Sequence, residues 1–78
     1  MNERSLITLK QGETARISAL HGGHGIQQRM RCIGIKEHKT LRVVAKHHFG
    51  GPLVVEIDGR QITLGRGMAH RVIVAQEK

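Results

Sequence analysis

Ten glycines are spread through 78 residues, and they limit how long any regular element can run. Glycine inside a helix or strand costs roughly 0.5–1 kcal/mol relative to alanine, so clustered glycines act as punctuation. Gly12, the Gly22-Gly23-His24-Gly25 loop, Gly34, Gly50-Gly51, Gly59 and Gly65-Arg66-Gly67 cut the sequence into short pieces. Such pieces can be short strands or two turns of helix, and little else. The length allows one domain, residues 1–78. A chain of this size buries only about 60% of its unfolded surface, so the core is small. With 38% apolar and 24% charged residues the composition suits a folded domain, not a disordered chain. The longest apolar runs, such as Leu53-Val54-Val55, fall far short of the roughly 20 residues a spanning helix needs. No apolar stretch follows Met1-Asn2-Glu3-Arg4, so no signal peptide and no membrane insertion are expected. Cys32 is alone and can form no internal disulfide, which suits a reducing, cytoplasmic location.

Leu6-Ile7-Thr8-Leu9 is a brief apolar segment before a turn at Gln11-Gly12. Ala15, Ile17 and Ala19 alternate with polar residues and predict a half-buried strand. Ile26, Met30 and Ile33 then fall at i, i+4 and i+7, one buried stripe of a short helix, with Gly34 placed to end it in a left-handed cap. Leu41, Val43 and Ala45 predict a second strand, and Leu53, Val55 and Ile57 a third. Asp58-Gly59 is a strong two-residue hairpin signal, because both residues of that turn need φ > 0. It sets Ile57 opposite Arg60, Val55 opposite Ile62 and Leu53 opposite Leu64. Residues 65–69 predict a tight turn, and residues 71–75 a last strand with Val72 and Val74 on one face. Five short strands with one short helix after the first long strand predict a mainly β fold, a small SH3-like barrel. Closure removes edges that short strands would otherwise expose. OB barrels run longer, with larger loops.

Six pieces in order carry a family resemblance: Leu6-x-x-Leu9-x-x-Gly12; Ala15-Arg16-Ile17; Arg29-Met30-x-x-x-Gly34-Ile35; Gly51-Pro52-Leu53; Gly59-x-x-Ile62-x-Leu64; and Ala69-x-x-Val72-x-Val74. Over residues 5–75 this pattern resembles the FeoA family, small cytoplasmic accessory proteins of bacterial ferrous-iron uptake. One departure is local. Glu37 and His38 stand where the family commonly carries Pro-Gly, which puts a non-glycine where the turn would favour glycine. The C-terminal SH3-like domain of iron-dependent repressors is similar to this family. No helical DNA-binding domain precedes the pattern, so a stand-alone module is expected. The resemblance implies an SH3-like barrel without catalytic activity of its own; no cofactor is expected. It also implies a partner, the cytosolic G-protein domain of the ferrous-iron permease, contacted through the helix and the neighbouring barrel surface.

The formal charge of +7 predicts attraction to something acidic. Arg29, Arg31, Lys36, Lys39, Arg42 and Lys46 are opposed locally only by Glu37. With Met30, which belongs to the apolar stripe but tolerates irregular contacts, Arg29, Arg31, Lys36, Lys39 and Arg42 are the candidate partner-binding residues. The simpler alternative is a solvated face that keeps a small protein soluble. Nucleic acid is not the expected partner. With no Trp or Tyr and one Phe, the chain lacks the stacking platforms that single-strand readers use. An SH3-like nucleic-acid-binding or metal-dependent regulatory module, akin to the repressor domain, is the alternative reading. Self-association through free strand edges is a further expectation.

Six histidines invite a metal site, and His21, His24 and His47 are its weak candidates. Structural zinc sites, however, favour cysteine-rich sets at defined spacing, and ferrous sites set carboxylates beside imidazoles. Neither pattern occurs, so no resident metal is expected. Cys32 is expected as a small apolar residue at the core margin. No phosphate-binding Gly-x-x-x-x-Gly-Lys-Ser/Thr motif occurs, so the chain is not itself the GTPase. Glu56 and Asp58 are close in sequence, but the turn occupies Asp58 and no catalytic acid–base–nucleophile set can be assembled.

Overall fold

The computed structural model describes residues 3–47 and 50–76. The elements in chain order are β1 (Glu3–Ser5), a 3₁₀ turn (Leu6–Thr8), β2 (Thr14–Leu20), α1 (His24–Cys32), β3 (Thr40–Lys46), β4 (Leu53–Ile57), β5 (Arg60–Leu64), α2 (Arg66–His70) and β6 (Val72–Gln76). The strands form one antiparallel sheet ordered β1-β6-β2-β3-β4-β5. This is the mainly β, SH3-like architecture that the patterning predicts, with two adjustments. A sixth strand, β1, pairs with β6, and β1 and β5 stand as the two sheet edges instead of closing the barrel by hydrogen bonds. Leu6 and Leu9 are fully buried in the core, and α2 packs on the 3₁₀ turn. Among the described residues no helix is long and apolar enough to cross a membrane.

The hairpin forms in the predicted register. Asp58 and Gly59 take φ of 53° and 77°, and Ile57 faces Arg60, Val55 faces Ile62 and Leu53 faces Leu64. Two other strands depart from simple alternation. In β2 the register against β6 shifts between Ile17 and Ala19, so Leu20 is buried and Ala19 only half-buried. Ser18 Oγ sits at this bulge and donates to the Ile73 carbonyl at 3.2 Å. In β3 the shift between Val43 and Ala45 leaves Ala45 half-buried. The bulge lets Lys46 Nζ donate to the carbonyls of Ile7 and Leu9, at 2.8 and 2.9 Å. A bulge bends its strand and raises the local twist, which curls the sheet around its core. The predicted tight turn before β6 is one and a half turns of helix, α2, tied to β1 by Ser5 Oγ donating to the His70 carbonyl at 3.2 Å.

The end of α1 is a Schellman cap. Ile35 N–H donates to the Met30 carbonyl at 2.9 Å and Gly34 N–H to the Arg31 carbonyl at 3.1 Å, with Gly34 at φ +106°. The reversal buries Ile35 against the same core as Met30. It also turns Ile33, the cap residue, outward to 37% exposure, so the inward stripe is Ile26 and Met30 and not Ile33. A second turn follows at once, where Lys39 N–H reaches the Lys36 carbonyl at 3.3 Å. Its third residue, His38, takes φ +74°. That is the φ a type II turn requires and glycine best supplies.

Two substitutions test this account. His38→Gly should raise stability by up to about 1 kcal/mol, because a side chain in left-handed backbone costs roughly 1–2 kcal/mol and part of the relief is offset by a freer unfolded chain. Urea melts check it, and an unchanged or lower midpoint would reject the strain. Met30→Ala should cost about 2–5 kcal/mol while Ile33→Ala stays within about 0.5 kcal/mol. Equal losses would mean that the stripe reaches residue 33 after all.

Candidate functional site

The basic residues singled out in the sequence are held by α1, its exit turn and β3, but they are not equivalent. Arg29 and Lys36 are exposed, with no carboxylate partner among the described residues. Arg31 is half-buried, its Nη2 at 2.9 Å from Glu37 Oε2 and 3.3 Å from Gln27 Oε1. Lys39 Nζ lies 2.7 Å from Asp58 Oδ2, which joins the α1 exit to the β4–β5 turn. Arg42 Nη2 lies 2.9 Å from Glu56 Oε1, its cross-strand neighbour. Lys46 is committed to backbone carbonyls. Met30 is fully buried in the core, so it supports the surface from beneath and is not itself exposed to a partner. Cys32, expected at the core margin, is exposed because α1 docks through Ile26 and Met30 and leaves residue 32 on the solvent side.

Three carboxylates sense these contacts. Arg31, donating to Glu37, holds that carboxyl below its ordinary 4.5. Lys39, donating to Asp58, holds that one below 3.8. The Lys10 N–H, donating to Glu13 at 2.7 Å, is the first cause of its lowered value, with Arg4 beside it. All three sites are solvated, where single ion pairs contribute little to stability. Their main effect is geometric: they orient Arg31, Lys39 and Arg42 along the surface and leave Arg29 and Lys36 as the free positive charges of this segment.

The histidines do not gather as a metal set. Among the described residues no group of three or more His, Cys, Asp or Glu could hold an ion. His24 opens α1 and is exposed. His47 follows β3, where its carbonyl accepts from Arg66 Nη2 at 3.0 Å. His48, next to it, lies outside the described residues. His21 lies instead beside His70 and Arg71 at a pocket completed by Gly67. Pattern reading missed His70 and Arg71. The signal that reveals them is long-range: Leu20 pairs with Val72, so His21 and Arg71 meet one step beyond.

The chain matches the FeoA domain model over residues 4–76. It belongs to the FeoA family. A relative from Methanocaldococcus jannaschii, named "Putative Fe(2+) transport protein A", is 31% identical over 65 residues, covering 83% of this chain and 77% of the relative. A crystal structure of an iron uptake regulatory protein (FeoA) superposes with a TM-score of 0.89 at 25% identity, covering 96% of this chain and 99% of that one. A manganese-dependent transcriptional repressor matches 96% of this chain with a TM-score of 0.88 at 26% identity, over 42% of its own length. The FeoA domain thus also has a counterpart within a larger regulatory protein.

The lowered carboxyls fix the sign of an acid effect. A group whose folded pKa is depressed adds stability that is present above its unfolded value and lost as pH falls through the folded one. The melting temperature should therefore hold from about pH 7 to about pH 5 and fall as the pH drops through 4.5 and 3.8 and below. Glu37→Gln should flatten part of that slope. A pH-independent melting temperature down to about pH 3 would contradict it.

Proposed function

We propose that this FeoA-family chain is a cytoplasmic, non-enzymatic accessory protein of ferrous-iron uptake that binds the cytosolic GTPase-containing domain of the ferrous-iron permease. Family membership and the Fe(2+)-transport name of the archaeal relative support the pathway. The observation that carries a binding role is the charge layout around α1. The helix holds no acidic residue, and Arg29 and Lys36 stand in no salt bridge among the described residues, with Lys36 only in the longer-range field of Asp58. Complementary charge speeds encounter and fixes register more than it adds raw affinity. The surrounding pairs of Arg31, Lys39 and Arg42 keep the rim ordered without consuming the two free cations.

Calorimetric titration into the soluble G-protein domain of the cognate permease, with and without nucleotide, tests this. Saturable binding is expected, and Arg29→Glu with Lys36→Glu should weaken it at least about tenfold, or 1.4 kcal/mol. Reversing Arg31 or Lys39 also breaks an internal pair, so the two free cations give the cleaner test. Unchanged affinity in the double variant would remove this surface from the reading. A second reading, a regulatory or nucleic-acid-binding module, draws on the likeness to the manganese-dependent repressor. It predicts binding to duplex nucleic acid that falls steeply with salt, measured as the control titration.

A further inference from the structure

The surface at the junction of β2, α2 and β6 is not used by that reading. An open pocket of about 450 Å³ lies here, lined by His21, Gly67, His70 and Arg71. Volumes of this order suit small molecules. The wall is fixed by the sheet. His21 N–H donates to the Arg71 carbonyl at 2.8 Å, one step beyond the Leu20–Val72 pair, so the two side chains spring from paired backbone. The Arg71 side chain lies across Gly22, where a Cβ would meet Nη1 at 3.0 Å and Cδ at 3.3 Å. Gly22, at φ +111°, thus gives the arginine its seat, and Gln27 Nε2 braces the loop by donating to the Gly22 carbonyl at 2.9 Å. A Cβ on Gly67 would meet nothing within 4 Å, so that wall is open.

The chemistry of the lining is one-sided. Arg71 has no carboxylate partner among the described residues, and no acidic side chain lines the pocket. Two imidazoles alone could attract a divalent metal, but a permanent guanidinium charge beside them opposes a cation and favours an anion. Arg presents a planar fork of N–H donors suited to oxyanions, and each neutral imidazole adds one N–H without needing a second proton. Donors from three side chains around an open pocket match a tetrahedral anion better than a planar carboxylate, which offers two oxygens.

We propose that His21, His70 and Arg71 form a binding site for a phosphate group carried by a small soluble molecule. Arg71 supplies the charge and the fork, while His21 and His70 close on the remaining oxygens. The site consists of residues other than Arg29 and Lys36 and stands or falls independently of the permease partner.

The test is titration of the full chain with pyrophosphate and with inorganic phosphate, followed by backbone amide and imidazole NMR signals, with chloride at matched ionic strength and Zn²⁺ as separate arms. The expected result is saturable binding of pyrophosphate, with shifts concentrated at His21, Gly67, His70 and Arg71. Arg71→Gln should weaken it at least about tenfold and His70→Gln about threefold, in proportion to the lost charge-assisted and neutral hydrogen bonds. Thermal melts of both variants report folding. Should Arg71→Gln unfold, because its side chain packs on Gly22, the exposed His70→Gln decides. Shifts that chloride reproduces, shifts centred on Arg29 and Lys36, parental affinity in a folded variant, or Zn²⁺ binding here in place of the anion would each overturn the proposal.

Discussion

The pairing of β6 with both β1 and β2 is the constraint on which the other contacts depend. It joins residues more than fifty positions apart, so its loop-closure cost falls before most of the apolar burial is won. Once made, it places Val72 and Val74 against Ile17 and Leu20 in one core and seats α2 over the 3₁₀ turn. It also dictates where the bulge at Ser18 must fall, since the strand has to bend to meet β6 on one side and β3 on the other.

Charge is distributed by the same economy. Glu13, Glu37, Glu56 and Asp58 each meet a cation, and each pair joins elements that are separate in sequence or lie across a turn. Lys46 serves the backbone of the irregular segment that no strand satisfies. The pairs leave the formal excess of +7 intact and decide only which cations carry it; around the α1 exit these are Arg29 and Lys36. A surface of this kind attracts at a distance and discriminates through the few side chains that are not already engaged.

Much of the fold was legible because local chemistry and global position agree. Asp58-Gly59 fixes both a turn and a register, and Gly34 caps a helix whose Met30 is then drawn into the core. Ile33 was misleading because periodicity continues past the point where the cap reverses the chain. Ala19 and Ala45 were misleading because a bulge is set by the partner strand and leaves no mark in its own sequence. The odd turn at Glu37-His38 was visible as an unfavourable residue, and the structure shows it tolerated, held by His38 N–H donating to the Ile17 carbonyl at 2.7 Å. The basic segment was legible as a segment, but which of its charges are free depends on carboxylates brought in from β4 and the β4–β5 turn. The grouping of His21 with Arg71 depends wholly on strand order.

The β1–β6 ladder has one more consequence. Because Glu3 lies beside Ala75 in antiparallel register, the chain comes into the fold and goes out of it at the same point on the surface. A domain built this way behaves as a cassette. A host loop that entered at Glu3 and left at Ala75 would have to span only one strand spacing, about 5 Å.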